Sequence, residues 1–339
     1  MLKSYFQRIL ASESLNQTEM QEIIGKVMDG DVDQVQIAGF LVALRMKGEV
    51  PEEIAGAATA MRARMNRVNV DRKPLIDTCG TGGSGTGSFN ISTATAFVLA
   101  SDERLAVAKH GNKAVSSLSG SADVLSALGV TITAPLKTME AAISELGIGF
   151  LFAPNFHPAM KHAAGIRRAL GIRTIFNLLG PLTNPAGADY QLMGVFAPDL
   201  PSKIAEVLGS LGSRKAWVVH GSDGVDELTI TGPSKVAEWD GSQVNSFEVA
   251  PEDVGLQSAG ADAMRGGSPS ENAATMRELL SGKQDSPLRD AIALNAGAGL
   301  FIAGVEPNYK AGVSRALDLI SDGKPFQKVE ALAQFTKGT

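Results

Sequence analysis

The chain has 339 residues and a mass of 35.3 kDa, and at about 150 residues per domain this length predicts roughly two domains. Its 31 Lys and Arg residues against 36 Asp and Glu leave a net charge of −5. That balance argues against a dedicated nucleic-acid-binding protein, which normally carries a basic domain. The single cysteine, Cys79, excludes an intrachain disulfide framework and a multi-cysteine zinc site. Because no apolar run approaches the ~18 residues of a membrane helix and no signal-peptide core opens the chain, we expect a cytoplasmic protein that does not span a membrane.

The first part of the chain, up to about residue 68, contains only helical patterns. Asn16 followed by Glu19 matches a capping box, which satisfies backbone N–H groups at the start of a helix. A second apolar run repeats at helical spacing from Ile37 to Leu44. Pro51 suits the first turn of a third helix, because that turn needs no N–H donor. These segments predict a small helical unit.

From about residue 74, short β-like runs alternate with helical ones. This alternation is typical of an α/β domain with a parallel sheet and helices on its faces. An Asp240-Gly241 turn between two β-like runs predicts a hairpin. The predicted strands are 74–78, 105–109, 148–152, 216–220, 236–240 and 244–249, and the predicted helices include one ending at 100 and others at 123–128, 139–146 and 202–211.

The first of three polar loops that follow predicted strands is rich in glycine, and we call residues 80–87 the glycine loop. It has glycines at 80, 82, 83, 85 and 87. Glycine lets the backbone approach a ligand closely, and N–H groups ahead of a helix N-terminus bind anions. Hydroxyl and amide side chains follow where the helix begins, at Ser88, Asn90, Ser92 and Thr93. The loop matches neither the Walker pattern nor a dinucleotide fingerprint, and the alternative is an ordinary Gly/Ser connector.

The second loop, residues 109–117, is called the lysine loop and begins with Lys109-His-Gly-Asn112. A lysine at the end of a strand is well placed to supply a point charge to phosphate. Lys113 adds a second cation, and nearby serines add hydroxyl donors. Taken alone, His110 reads as an ordinary core histidine, whereas the whole cluster favours anion binding.

The third loop, residues 221–227, is called the acidic loop and ends in Asp226 and Glu227. Mg²⁺ typically takes one or two carboxylates and completes its shell with water and substrate phosphates. An ordinary solvated turn would explain this pair if it stood alone. Because all three loops follow strands of a parallel sheet, however, we expect them to meet at its carboxyl edge. That arrangement indicates a phosphate-rich, Mg²⁺-bound substrate and leaves phosphoryl and glycosyl-phosphate chemistry both open.

Taken together, these motifs resemble those of the anthranilate phosphoribosyltransferase family, which joins anthranilate to phosphoribosyl pyrophosphate (PRPP) in tryptophan biosynthesis. The likeness covers nearly the whole chain, and seven motifs in this order make it highly specific. They are DTCGTGG at 77–83, FNIST at 89–93, KHGN at 109–112, SGSAD at 119–123, FHP at 156–158, RTIFNLLGPLTNP at 173–185 and DEL at 226–228.

The resemblance implies a homodimer with a nucleoside phosphorylase-like fold, in which both substrates bind between two domains. A small helical domain would comprise residues 1–70 with about 156–186. A large α/β domain with a mostly parallel sheet would comprise 71–155 and 187–339.

The resemblance also assigns site residues, although none as an acid or base. PRPP would contact Gly80, Gly83, Ser84, Ser88, Asn90, Ile91, Ser92, Thr93, Lys109, His110, Gly111, Asn112, Lys113, Ala114, Val115, Ser116, Ser117 and Ser121. Anthranilate would contact Gly80, Asn112, Arg167, His110, His157 and Pro181, with Arg167 receiving its carboxylate. Ser92, Asp226 and Glu227 would hold two Mg²⁺ ions.

Three positions depart from the family pattern. Ser84 replaces the usual Asp and removes a carboxylate from the glycine loop, whereas Ser88 for Thr keeps a hydroxyl and Lys113 for Arg keeps a charge. Two alternatives stay open at this point: a pyrimidine nucleoside phosphorylase-like enzyme, and a non-catalytic relative that binds nucleic acid. The net charge and the intact acid pair disfavour the second alternative.

Overall fold

The computed structural model describes residues 2–71, 74–83, 85–114 and 118–338. Its centre is a seven-stranded sheet with the strand order β3-β2-β1-β4-β5-β6-β7. The strands are β1 Leu75–Gly80, β2 Ala106–Gly111, β3 Ile148–Phe152, β4 Tyr190–Gly194, β5 Lys215–Gly221, β6 Ser234–Trp239 and β7 Val244–Val249.

Strands β3, β2, β1, β4 and β5 are mutually parallel, and β5, β6 and β7 pair antiparallel. The parallel strands are joined by helical crossovers, as their pairing requires. The β6–β7 hairpin turns at Gly241, whose φ of 106° favours glycine. The predicted mostly parallel α/β sheet and its terminal hairpin are confirmed.

Four helices open the chain: α1 Leu2–Leu10, α2 Gln17–Asp29, α3 Gln34–Lys47 and α4 Pro51–Arg62. The capping box is present, because the Glu19 N–H donates to Asn16 Oδ1 at 2.9 Å and the Asn16 N–H donates to Glu19 Oε2 at 2.9 Å. The sequence predicted three helices in this part of the chain, and that number was wrong. Helix α1 precedes the three predicted ones, so Pro51 opens the fourth helix. Helix α1 has no acidic residue in its first turn, so no clear start signal marks it in the sequence.

The remaining α-helices lie along the rest of the chain. They are α5 Ile91–Ala100, α6 Ser121–Ala127, α7 Leu136–Leu146, α8 Ala153–Phe156, α9 Lys161–Leu170, α10 Phe176–Leu182, α11 Pro201–Ser210, α12 Pro269–Leu280, α13 Pro287–Ile302, α14 Tyr309–Ser321 and α15 Lys324–Thr336. None of the described residues belongs to a helix that is both long enough and apolar enough to cross a membrane.

The two faces of the sheet face different hydrophobic cores. Leu192 and Trp217 join a core that includes α5 and α13, whereas their neighbours Met193 and Val218 join a core that includes α2, α3 and α4. This alternation follows from the two-residue period of a strand. The second core also takes buried residues of α9 and α10, so these later helices pack with the opening ones.

The opening helices are tied together by the buried carboxylate of Glu53. Its Oε1 accepts from the Leu15 N–H at 2.9 Å, and its Oε2 accepts from the Val50 N–H at 3.0 Å and from Lys47 Nζ at 2.9 Å. Both charged side chains of the pair are buried. Breaking such a pair leaves an uncompensated charge in the interior.

We therefore expect Glu53→Ala to lower the free energy of unfolding by about 3 kcal/mol. Urea denaturation followed by circular dichroism measures the loss. Glu52→Ala is the matched control, because Glu52 is exposed in the same helical turn. Equal unfolding curves for the two variants would contradict this role of Glu53.

Candidate functional site

The three predicted loops leave the same edge of the sheet. The glycine loop begins at the end of β1, the lysine loop at the end of β2 and the acidic loop at the end of β5. These strands run parallel, so their carboxyl ends lie at one edge. The expected convergence of Gly83, Lys109 and Glu227 at one rim is therefore confirmed, and the contacts between the loops define it further.

Lys109 is the central cation of this edge and is buried. Its Nζ donates to the Thr78 carbonyl at 2.5 Å and to Ser92 Oγ at 3.2 Å. The Ser92 N–H, at the start of α5, donates to Glu227 Oε1 at 3.1 Å. One short chain of hydrogen bonds thus connects β1, the lysine loop, α5 and the acidic loop.

Asp226 connects the acidic loop to the glycine loop, because the Gly82 N–H donates to its Oδ2 at 2.8 Å. Glycine is needed beside it at two strand ends. A Cβ atom on Gly80 would lie 2.5 Å from Asp226 Oδ2, and one on Gly194 would overlap the Asp226 backbone. Further along the loop the glycines adopt positive φ, 64° at Gly82 and 77° at Gly83.

Burial sets the electrostatics of the loops. Burial lowers the pKa of Lys109, although Asp77, Cys79 and Glu227 oppose this shift. Burial and then the charge of Asp226 raise the pKa of Glu227 to about 8, although Lys109 opposes that shift. Both shifts have burial as their largest cause, which places ionisable groups in little water at this edge of the sheet, a common property of functional sites.

Three residues at the start of α5 that were predicted to contact PRPP interact with other parts of the protein. Asn90 Oδ1 accepts from Ser119 Oγ at 3.1 Å and from Asn272 Nδ2 at 2.9 Å, while Asn90 Nδ2 donates to the Ser119 carbonyl at 3.1 Å. Ile91 and Thr93 are buried. These three residues therefore support the start of α5, and their contact with PRPP stays a prediction.

The lysine loop is held by side chains of the helix that follows it, α6. The N–H groups of Ala114 and Gly120 both donate to Asp123 Oδ2, at 2.8 and 3.0 Å. Ser121 Oγ donates to the Asn112 carbonyl at 3.2 Å. Gly111 permits this, because a Cβ there would collide with the Ser121 hydroxyl.

Other predicted contacts fall at the margins. Lys113 lies in the lysine loop, and Ser88 forms an isolated antiparallel bridge with Arg265. The predicted contacts Ser84, Val115, Ser116 and Ser117 lie outside the described residues.

A second cluster contains two of the predicted anthranilate contacts, His110 and His157, which are both buried. Their Nε2 atoms are 3.2 Å apart, and His110 Nδ1 lies 3.0 Å from the Gly180 carbonyl, next to Pro181. A carbonyl only accepts, so a neutral His110 carries its proton on Nδ1 and presents Nε2 as an acceptor to His157. Burial lowers the pKa of His110 to about 3 and that of His157 to about 4, so both rings are neutral at pH 7.

Arg167 lies on α9 and is half-buried. Its Cζ is 5.6 Å from the centre of the Phe176 ring, at the start of α10. Burial lowers the pKa of its guanidinium. The neighbouring Arg168 is exposed.

The donors at the acidic loop are all oxygens, from Asp226, Glu227 and the hydroxyl of Ser92. Within the part of the chain that the structure describes, no three His, Cys, Asp or Glu side chains form a cluster able to hold a metal. The set therefore fits a hard cation such as Mg²⁺ that takes its other ligands from water and phosphate, and it does not fit a closed structural metal site.

Sequence reasoning missed several residues that shape the site. Gly194 makes room for Asp226, Asn272 supports Asn90, and Arg173 donates to the Gly83 carbonyl. Arg173 begins one of the seven motifs, which was the available signal for it. Gly194 and Asn272 carry no such signal, because their contacts join segments that are distant in the chain.

Two family models match the chain. One, described as the helical bundle domain of a glycosyl transferase family, matches residues 3–65, and the other, described as its a/b domain, matches residues 72–326. The fold and the two matched domains therefore identify a member of a glycosyl transferase family.

Individual relatives narrow this class. The anthranilate phosphoribosyltransferase of Desulfosudis oleivorans is 47% identical over 337 residues, covering 99% of each chain. The solved structure of the Thermus thermophilus enzyme of that name matches with a TM-score of 0.93 at 47% identity, covering 98% of this chain and 99% of that one. The chain belongs to the anthranilate phosphoribosyltransferase family, as its motifs predicted.

More distant structures of the same family carry ligands. The Saccharomyces cerevisiae enzyme in complex with PRPP and Mg matches with a TM-score of 0.90 at 28% identity, covering 100% of this chain and 98% of that one. The same enzyme in complex with 4-fluoroanthranilate matches with a TM-score of 0.89 at 27% identity, with the same coverage.

The buried histidines predict a pH dependence of stability. In the unfolded chain a histidine titrates near pH 6.5, whereas His157 in the folded protein stays neutral until about pH 4. Protons therefore bind preferentially to the unfolded chain as the pH falls below 6.5, and stability falls with it.

We expect His157→Gln to lose about 2 kcal/mol less stability than the unmodified protein between pH 7.5 and pH 5. Urea denaturation at the two pH values measures the difference, and the region above pH 7.5 serves as the internal reference. A variant with the same loss as the unmodified protein would show that His157 takes up its proton in the folded state.

Proposed function

We propose that this protein transfers the 5-phosphoribosyl group from PRPP to the amine of anthranilate and releases pyrophosphate, a step of tryptophan biosynthesis. One observation carries the proposal: hydrogen bonds connect the glycine loop, Lys109 and the Asp226–Glu227 pair at one edge of the sheet. The chain that carries this arrangement belongs to the anthranilate phosphoribosyltransferase family. An anion cradle, a cation and paired acids are what a diphosphorylated sugar with its divalent cation requires.

On the donor side, the glycine loop, the start of α5 and the lysine loop would hold PRPP. Asp226, Glu227 and Ser92 would hold two Mg²⁺ ions, which when bound neutralise charge on the diphosphate as it leaves. Lys109 contributes a fixed positive charge beside Ser92. Its burial makes that charge effective, because little water competes with it.

On the acceptor side, Arg167 would receive the anthranilate carboxylate, for which a guanidinium fork is suited. Gly80, Asn112, His110, His157 and Pro181 would complete this side. The Gly180 carbonyl accepts from His110 Nδ1, and His110 Nε2 accepts from His157, so the order of hydrogen bonds is fixed. These acceptor-side residues, which we call the acceptor wall, therefore add no charge near pH 7.

The chemistry asks little of an acid or a base. The amine nitrogen attacks the anomeric carbon with its lone pair, the bond from that carbon to the diphosphate oxygen breaks, and configuration inverts. The difficult step is the departure of a highly charged group from a sugar that becomes positive. Preorganised donors at the glycine and lysine loops stabilise that departure, while Arg167 orients the nucleophile.

We also propose a cytoplasmic homodimer with the two-domain division expected above: residues 1–70 with about 156–186, and the rest of the chain. The packing of α9 and α10 with the opening helices supports the grouping of 156–186 with 1–70, and the same core also contains Met193 and Val218 of the sheet, where the two proposed domains meet.

The direct test is the loss of anthranilate fluorescence when PRPP and Mg²⁺ are added to purified protein. We expect the fluorescence loss only when the protein, PRPP and Mg²⁺ are all present with anthranilate. Phosphate-dependent cleavage of thymidine without this activity would instead indicate a pyrimidine nucleoside phosphorylase. Salt-sensitive DNA binding without turnover would indicate a non-catalytic relative.

The assignment of Arg167 predicts a selective defect. Arg167→Ala should raise the KM for anthranilate at least about tenfold, because a charge-assisted bidentate contact is lost, and should leave the KM for PRPP nearly unchanged. Arg168→Ala, at the exposed neighbour, is the matched control. Equal losses for both substrates would refute the assignment.

The assignment of the acid pair predicts a different defect. Replacing both acids, as Asp226→Asn with Glu227→Gln, should lower Mg²⁺-supported turnover by about 100-fold or more, since no carboxylate remains to hold the cation. Steady-state rates across a Mg²⁺ titration measure this. Glu248→Gln on the exposed strand β7 should behave as the unmodified protein, and a normal rate in the double variant would remove both acids from the site.

A further inference from the structure

Arg173 makes two contacts near the proposed site, and the proposed function gives this residue no role. It is an exposed residue in the turn between α9 and α10. Its Nη2 donates to the Gly83 carbonyl, and its Cζ lies 4.3 Å from the centre of the Phe196 ring, just after β4. The guanidinium is thus stacked on one side and hydrogen-bonded at its edge, a combination that a planar arginine can make and a lysine cannot.

Two other attachments of the glycine loop lie close to the sheet, and a third holds its far end, where the Gly266 N–H donates to the Gly87 carbonyl at 2.9 Å. The Thr81 N–H donates to the Gly194 carbonyl at 2.9 Å, and the Gly82 N–H donates to Asp226 at 2.8 Å. Around Gly82, Gly85 and Gly87 the space is open, because a Cβ atom on any of them would have no neighbour within 4 Å. The contact at Gly83 therefore holds the loop between its attachments near the sheet and the one at Gly87.

Phe196 is itself fixed by this loop. Its N–H donates to Thr81 Oγ1 at 3.1 Å, while its ring supports the guanidinium. Thr81, Phe196, Arg173 and Gly83 consequently form a closed ring of contacts. Three of its members belong to or follow the sheet, and the fourth comes from the segment that carries His157 and Arg167.

We propose that Arg173 is a positioning residue for the phosphoribosyl donor. It fixes the backbone of the glycine loop at Gly83 with that loop open toward the diphosphate, and it adds a positive charge beside the loop. This inference rests on the proposed function. Because the contact comes from the segment with the acceptor residues, the donor loop and the acceptor wall share one attachment.

Kinetics of Arg173→Ala test the inference. A loop without this contact must be ordered by the substrate itself, so we expect the KM for PRPP and the Kd for PRPP with Mg²⁺, measured by calorimetry without anthranilate, to rise about tenfold. The KM for anthranilate should change less than about twofold. Arg168→Ala, which removes the same charge from α9, should leave the PRPP constants unchanged.

Two further variants separate positioning from general damage. Arg173→Lys, which keeps the charge and one donor, should recover part of the loss, and Phe196→Leu should produce about a threefold rise in the KM for PRPP. In the Arg173→Ala background, Phe196→Leu should add nothing, because both act through one contact.

Three results would overturn the role of Arg173: a PRPP constant within twofold of the unmodified protein, equal increases for both substrates, or fully additive effects of the two variants. Absence of turnover and of PRPP binding in the unmodified protein would contradict the proposed function. Turnover with an unchanged PRPP constant in Arg173→Ala would contradict only the role of Arg173.

Discussion

The site depends on one buried positive charge. The Lys109 ammonium is removed from water and donates to the Thr78 carbonyl and to Ser92 Oγ. An isolated ammonium in the interior is costly, and here Asp77, Cys79 and Glu227 offset part of the cost that burial imposes. A separate hydrogen bond, from the Ser92 N–H to Glu227 Oε1, fixes the start of α5 against the acidic loop. Lys109 and Ser92 together therefore connect β1, the lysine loop, α5 and the acidic loop.

Around this charge, the protein separates two kinds of surface. The proposed donor side is built of backbone N–H groups, hydroxyls and charges at the carboxyl edge of the sheet. The proposed acceptor side comprises helical residues between His157 and Pro181 together with His110, and the rings of His110 and His157 are buried and neutral at pH 7. This separation suits a transfer reaction in which one reactant is highly charged and the other is a small aromatic amine.

Much of this could be predicted from the sequence, because its strongest signals are local. The Asn16–Glu19 capping box and the loops after β1, β2 and β5 follow from spacing and from the geometry of parallel sheets. The extent of β1 was less accessible: it continues to Gly80 because Cys79 and Gly80 pair with Met193 and Gly194 of β4. Asn272 was missed for the same reason, since its amide reaches Asn90 only after the chain has folded. Partners that are remote in sequence leave no periodic trace.

The two glycines beside Asp226 carry a consequence for comparing or engineering this chain. At Gly80 and Gly194 the missing methyl groups are the space that the aspartate occupies. A substitution to alanine at either position would displace the acid without altering any ionisable group. The position of the Asp226 carboxylate thus depends on two residues that have no side chain. A comparison limited to charged residues would overlook these two glycines.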